Sequence, residues 1–353
     1  MGLPTQHPLV SGKTSTSKVV QALAGVRQER PPIWLMRQAG RSLPEYRKLR
    51  EGIPMLESCL RPDLAAEITM QPVRRHKVDA GIFFSDIVIP LKLAGIDISI
   101  VPNVGPVLNS PVQTRNDFNK LKVLDPESLN PIREAIGLVV QELDSIPLLG
   151  FGGAPFTLAS YLIEGKPSQE IPVSRSLMKE NPQLWNDILN WCAQVTVEFL
   201  RAQIMAGVSG IQVFDSWAGR LTKDEYVAHA APHLKHVMDG VSDLPVARIA
   251  FGVGTKEILR EMYEAGATVI GVDSATSLSE AAAILGGHVP LQGNIDPELL
   301  LGSWRELQEA TDLAIEEGKS APSHILNLGH GVLPTTDPSM ITRLVAYVHG
   351  DQP

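Results

Sequence analysis

"VARIAFGVGTKEILREMYEAGATVIGVD", residues 246–273, reads as strand, helix, strand. "VARIAFG" (246–252) and "TVIGVD" (268–273) are short apolar runs, and "GTKEILREMYEAGA" (254–267) is a helical pattern stopped by Gly266. Two strands joined by a helix pair in parallel. Neither run alternates apolar with polar residues. Continuous apolar runs suit strands covered on both faces, as in a parallel sheet with helices packed against it.

The same unit recurs on either side. Further apolar runs lie at "IWLM" (33–36), "AGIFF" (80–84), "PLLGFGG" (147–153), "GIQVFD" (210–215), "PLQGN" (290–294) and "HILNLG" (324–329). Helical patterns separate most of them. "SLMKENPQLWNDILNWCAQVTVEFLRAQIMAG" (176–207) carries two helices, with Pro182 near a start and Gly207 as a stop. In "SLSEAAAILGG" (277–287), Ser277 and Glu280 have the spacing of a capping box. Eight strands alternating with helices predict a single (β/α)8 TIM barrel, and a doubly wound open sheet is the alternative. The long gap between the second and third runs contains "GIDISIVPNVGPVLNSPV" (95–112), expected to form a β-hairpin inserted on the barrel. Residues 1–17 are expected to be a flexible tail, and 18–353 one catalytic domain.

The 353 residues carry a formal net charge of −8, which argues against nucleic-acid binding. No apolar run reaches 18 residues, so no membrane span is expected. Cys59 and Cys192 are the two cysteines, too few for a disulfide framework or a cysteine zinc site, and a reducing, cytoplasmic setting follows as an expectation.

In a barrel, chemistry gathers where strands end at their carboxyl side. Arg37 and Arg41 follow the first run, Ser85 and Asp86 the second, Gly152 to Tyr161 the third, and Ser216 the fourth. Asp273 follows the sixth, Asn294 and Asp296 the seventh, and His330 the eighth. Asp86 stands in "FFSDIVIP", where a carboxylate is costly unless paired or used; a turn cap is the plain alternative. His330 between glycines and Ser216 in "FDSWAG" are active-site candidates or turn residues. Asp273 and Asp296 are read more readily as caps. His229, His233 and His236 have ligand-like spacing, but no neighbouring carboxylate completes a metal motif, and an outer helix is the simpler reading.

The sharpest feature is "WLMRQAGRSLPEYRKLR" (34–50), with four arginines and a lysine in an acidic chain. A helix starting after Met36 would put Arg37 and Arg41 on one face. Guanidinium forks bind carboxylates or phosphates in paired hydrogen bonds. Either this is a solvated basic face, or it is a site for a polyanion.

Together, "PPIWLMRQAGRSLPEYRKLR", "FFSDIVIP", "GFGGAPFTLASYLIEG", "VFDSWAG", "LQGNIDP" and "LNLGHGVLP" resemble the uroporphyrinogen decarboxylases of haem biosynthesis, in order from about Lys18 to about Val348. The resemblance implies a single (β/α)8 barrel forming a homodimer with facing clefts. It implies removal of CO2 from the four acetates of uroporphyrinogen III to give coproporphyrinogen III, without metal or organic cofactor. It places Arg37 and Arg41 on substrate carboxylates and Asp86 at the centre of the macrocycle. Tyr161, Ser216 and His330 would line the pocket, with Gln38 and Arg50 as further contacts. Asp86, Arg37 and His330 are the catalytic candidates. Ser42 and Ser274 depart from the family's usual Tyr and Trp. A zinc methyltransferase of the same superfamily would need a His-x-Cys pair, which neither cysteine provides.

Overall fold

The computed structural model describes residues 2–102 and 104–351; Met1, in the expected tail, Asn103, in the expected hairpin, Gln352 and Pro353 lie outside the described residues. The strands are β1 (Gly81–Ile82), β2 (Ile98–Val101), β3 (Gly105–Leu108), β4 (Leu148–Gly153), β5 (Gly210–Phe214), β6 (Ala247–Phe251), β7 (Val269–Gly271), β8 (Leu291–Ile295) and β9 (His324–Leu328). Seven of them form one sheet in the order β1-β4-β5-β6-β7-β8-β9, every neighbouring pair parallel. β2 and β3 form a separate antiparallel pair, with Ile98 opposite Leu108 and Val101 opposite Gly105. It lies within the segment expected as a hairpin.

Side-chain alternation explains the unbroken apolar runs. Leu149 and Phe151 of β4 and Ile249 and Phe251 of β6 share an inner cluster with Trp34 and Met36. Leu148, Ile211, Val213 and Ala250, between them in sequence or register, pack outward with the helices. Both faces of each strand are dry, so both must be apolar. The inner face is curled. Gln212 of β5 and Gln292 of β8 are separated by two strands in the sheet, yet the Gln292 amide donates to Gln212 at 2.9 Å. Trp34 Nε1 donates to Gln292 Oε1 at 3.1 Å from the third side. A flat sheet could not bring these side chains together.

"IWLM" differs from expectation. It makes one parallel bridge, Ile33 to Leu326 of β9, and no ladder. Pro31 and Pro32 lack N–H groups, which prevents extension towards the N-terminus. Arg37 has φ 59°, which ends extension on the other side. Side chains supply the missing bonds. The Ile33 N–H donates to Asp79 Oδ2 at 2.8 Å, Met36 N–H to Asn327 Oδ1 at 2.9 Å, and Leu35 N–H to Gln38 Oε1 at 2.9 Å. Gln38 Nε2 then reaches Ala80 O at 3.1 Å, just before β1. Residues 32–38 thus join β9 to β1, the two edges of the sheet.

The helix expectations hold in their main lines. The 176–207 stretch gives Pro172–Glu180 and Pro182–Ala206, with Asn181 capping the second and Gly207 ending it. Ser277 accepts from Glu280 N–H as expected, but Glu280 forms an ion pair with Lys256 at 2.7 Å instead of closing the capping box. Residues 2–17 do not behave as the free tail expected. His7 and Thr14 are buried; His7 Nε2 meets Ile204 O at 3.0 Å, Thr14 Oγ1 meets Ser209 Oγ at 2.8 Å, and Lys13 pairs with Asp144 at 2.9 Å. Ser209 and Asp144 precede β5 and β4, so this segment covers the amino end of the sheet, away from the strand ends that carry the candidate site. Cys59 and Cys192 are free and buried.

Candidate active site

Because all seven sheet strands run in one direction, their carboxyl ends share one rim. Asp86 is reached from β1, Tyr161 from the helix Pro155–Glu164 after β4, Ser216 from β5 and His330 from β9. Arg37 follows the bridge segment. These five residues line one cavity of about 390 Å³ together with Trp217 and Arg220. It opens into a larger cleft of about 1300 Å³, also lined by Arg37, Asp86, Ser216 and His330, to which Arg41 and Arg50 contribute. Phe151, Phe214 and Phe251 line that cleft, with ring centroids 5.5 Å apart for the first pair and 5.8 Å for the second. The site therefore combines an apolar aromatic wall, several guanidinium groups and one central carboxylate.

The arginines reach the cleft by a route the sequence did not suggest. No helix begins at Met36; residues 37–42 form turns, and the helix starts at Pro44. Arg37 sits in the left-handed region, which is costly for a residue with a Cβ. Gln38 holds that turn, since its N–H donates to Leu35 O at 3.0 Å while its side chain bonds Leu35 and Ala80. Gln38 is fully buried. Its amide lies beneath the turn, with Oε1 bonded to Leu35 N–H and Nε2 to Ala80 O, and it is absent from the lining of either cavity. Arg47 braces the next turn by donating to Arg41 O at 2.7 Å and Ser42 O at 3.1 Å. Arg50 is partly anchored, donating to Tyr46 Oη at 2.7 Å and Ile53 O at 2.9 Å. Arg37 and Arg41 are exposed to the cleft and form no ion pair among the described residues.

Asp86 Oδ1 accepts from Val88 N–H at 3.0 Å and has no ion-pair partner among the described residues. Burial pushes its carboxyl above the ordinary value, against the opposing pull of Val88 N–H and the Arg37 charge. Burial, and then the Asp86 charge, lift the Tyr161 hydroxyl to about 12. Burial and the Arg37 charge lower His330, so a neutral imidazole is favoured near neutral pH.

Other polar strand-end residues have structural partners. Asp273 accepts from Gly254 N–H at 2.6 Å and from Ala275 N–H and Thr276 Oγ1, both at 3.3 Å. Asp296 caps the turn at Glu298, and Asn294 donates to Asp273 O and Thr276 O. His233 is buried in the helix Ala231–Asp239. Sequence reasoning missed Trp217 and Arg220. Trp217 lies within the VFDSWAG motif but was not singled out, and Arg220, in the short 3-10 turn Ala218–Arg220 that follows, had position as its only signal.

The family model described as "Uroporphyrinogen decarboxylase (URO-D)" matches residues 14–350. The chain belongs to the uroporphyrinogen decarboxylase family. It is 53% identical over 344 residues to the uroporphyrinogen decarboxylase of Arthrobacter sp. (strain FB24), covering 98% of this chain and 100% of that one. It is 49% identical to that of Leifsonia xyli subsp. xyli, covering 99% and 98%. Among solved structures, a methyltransferase from Methanosarcina mazei superposes with a TM-score of 0.80 at 19% identity, over 96% of this chain and 98% of that one. At that identity the match speaks for the fold alone. Among the described residues no helix is long and apolar enough to cross a membrane.

Proposed function

We propose that the chain removes CO2 from the four acetate side chains of uroporphyrinogen III to give coproporphyrinogen III, using no cofactor. The fold is read as a (β/α)8 barrel whose first strand is the 33–36 segment, with the β2–β3 pair inserted beside its mouth. The chain is read as a cytoplasmic homodimer with the clefts facing each other. The observation that carries the functional reading is Asp86. It is a carboxylate without an ion-pair partner among the described residues, beside an aromatic wall and near Arg37, Arg41 and Arg50, which form no ion pair among those residues either.

That arrangement matches a molecule with a cationic centre in its transition state and carboxylates at its edge. The substrate carries eight carboxylates and four pyrrole N–H groups. Decarboxylation needs an electron sink, and the pyrrole supplies one when a proton adds to the ring carbon beside the acetate-bearing carbon. The CH2–CO2 bond then breaks. Its electron pair forms an exocyclic double bond and cancels the ring charge. A proton adds to the exocyclic carbon to make the methyl group, and loss of the ring-carbon proton restores the pyrrole. Each acetate thus takes up one net proton and releases one CO2.

Asp86 accepts hydrogen bonds from the pyrrole N–H groups, which become more acidic in the cation. At about 4 Å and an effective dielectric near 20, one full charge contributes roughly 4 kcal/mol. Attraction that grows as the cation forms lowers the barrier; attraction equal in both states does not. Arg37 delivers the proton directly or through a bound water, and His330 orients the substrate carboxylate. Ser216 and Tyr161 bond the side chains of the same ring.

The test is anaerobic turnover of uroporphyrinogen III, with products oxidised and separated by carboxylate number. A series from eight carboxylates to four is expected. Asp86→Asn should still bind substrate but lose the series by about a thousandfold in rate, the equivalent of roughly 4 kcal/mol. Wild-type protein that binds substrate without forming the series would refute the reading. Parental turnover by Asp86→Asn would refute the role given to Asp86.

A further inference from the structure

Arg220 lines the small cavity with Asp86 and Tyr161, whereas Arg41 and Arg50 line only the larger cleft. Asp86, Arg37 and His330 border both. The two groups of guanidinium ions therefore lie in different parts of the site, with Asp86 between them. Arg220 is half-buried, and its guanidinium carbon lies 4.7 Å from the centroid of the Trp217 ring. Trp217 in turn packs on Tyr161, with centroids 4.5 Å apart. One Arg220 N–H donates to Ser168 O. No acidic side chain forms an ion pair with it among the described residues.

A partly buried cation held on an aromatic face without an ion-pair partner is costly unless an anion joins it. Burial also lowers the affinity of Arg220 for its proton, against the opposing pull of the Tyr161 and Glu170 charges. The reading rests on the function proposed above, because the anion must come from the ligand of this cavity. A macrocycle centred on Asp86 carries carboxylates around its whole edge. Arg41 and Arg50 reach one part of that edge, and in the small cavity the guanidinium groups are those of Arg37 and Arg220.

We propose that Arg220 binds a side-chain carboxylate of uroporphyrinogen, on the part of the macrocycle edge that Arg41 and Arg50 do not reach. Its planar fork, preset by Trp217 and Ser168, suits two parallel hydrogen bonds to one carboxylate. Arg220 takes no part in the proton transfers, so its effect falls on KM.

The experiment compares wild type, Arg220→Gln and Arg220→Lys in the anaerobic assay, with direct uroporphyrinogen binding measured in parallel. Arg220→Gln should raise KM and Kd by about ten- to a hundredfold, the range for losing a charged hydrogen-bonded contact. Arg220→Lys should recover part of that loss. The increase of KM with added NaCl should be shallower in Arg220→Gln, since one ionic contact is gone. A KM and Kd within twofold of wild type would overturn the proposal. If Arg220→Gln melts early, the salt dependence of Kd below its melting point decides, and a wild-type slope overturns it. Binding reads Arg220 even if wild type fails to turn over, so failure of the enzymatic reading and failure of the subsite are told apart.

Discussion

Gly331→Ala should disable the enzyme while barely affecting its stability. A Cβ added at Gly331 would lie 2.3 Å from Arg37 Cδ, 2.7 Å from Cγ and 3.0 Å from Nε. Carbon atoms in contact settle at about 3.5–4.0 Å, so the closest pair overlaps by more than about 1 Å. Gly331 has no left-handed φ, so alanine suits its backbone. The neighbouring backbone is fixed, with Val332 N–H donating to Met36 O at 2.8 Å. The Arg37 backbone is held by Gln38. The Arg37 side chain is the part free to yield, and it is exposed to the cleft. An off-rotamer arginine costs about 1 kcal/mol, and for a chain of this length that shifts Tm by roughly 2 °C or less. The guanidinium, however, moves by about 1 Å relative to Asp86, and misplacement of that size costs about a hundredfold in rate. The assay is kcat/KM for CO2 release beside a melting curve. A cycle with Arg37→Ala completes it: in that background Gly331→Ala should add nothing, because the clash has lost its partner. Gly331→Ala with kcat/KM within threefold of wild type would refute the reasoning, as would an equal loss in the Arg37→Ala background.

Gln38→Leu should destabilise the fold by about 2–5 kcal/mol, because the Leu35 N–H and Ala80 O lose their bonds inside the protein; a melting temperature within one degree of wild type would contradict this. His349 Nε2 pairs with Asp79 Oδ2 at 2.9 Å, the same oxygen that accepts from Ile33 N–H. Asp79 raises the His349 pKa, chiefly through that hydrogen bond. The stability this adds is complete below the ordinary value near 6.5 and is lost as pH rises through the raised one. His349→Gln should therefore lower Tm more at pH 5.5 than at pH 9, and a pH-independent difference would count against the pairing. The role proposed for Asp86 requires its ionised form, and burial raises its carboxyl. Turnover should fall on the acid side at a pH above the ordinary carboxylate range, and a flat profile down to pH 4 would contradict the role assigned to it.

The runs that became β4, β5, β6, β7, β8 and β9 were legible because both faces of each strand are buried. That condition leaves its mark in the chain as an unbroken apolar stretch. The 33–36 segment is apolar for the same reason, but its edge pairing passes through Gln38, Asn327 and Asp79. A bond made by a side chain from elsewhere in the chain leaves no local pattern. The tail was misread on similar grounds. His7, Thr14 and Lys13 find partners 197, 195 and 131 positions away, and each is an isolated polar residue in the sequence. In the site, Arg37, Arg41, Asp86, Ser216 and His330 stood out because each follows a strand. Gln38 shared the motif but faces inward. Arg220 was overlooked because a loop residue near Ser216 carries no periodic signal.

The distribution of acidic partners answers why guanidinium groups are concentrated in an acidic chain. Away from the mouth, several arginines are held by acidic side chains of the chain itself. Arg74 binds Glu67 at 2.8 Å and Glu142 at 2.7 Å, Arg75 binds Glu45 at 2.6 Å, and Arg115 binds Asp187 at 2.6 Å. Arg175 and Arg201 likewise hold Glu225 and Asp243. At the mouth, Arg37, Arg41, Arg50 and Arg220 form no such pair among the described residues. The net charge of −8 belongs to the chain as a whole and is screened within about 10 Å at 0.1 M salt. Within the cleft Arg37, Arg41, Arg50, Arg61 and Lys92 outnumber the two acids on its wall, Glu57 and Asp86. A polyanion that reaches this mouth meets more cations than acids, and in the function proposed above Asp86 faces the N–H groups of the macrocycle. In the function proposed above, binding at the edge and stabilisation at the centre use opposite charges, and the fold supplies them separately, Arg37 from the turn after the 33–36 segment and Asp86 from beyond β1.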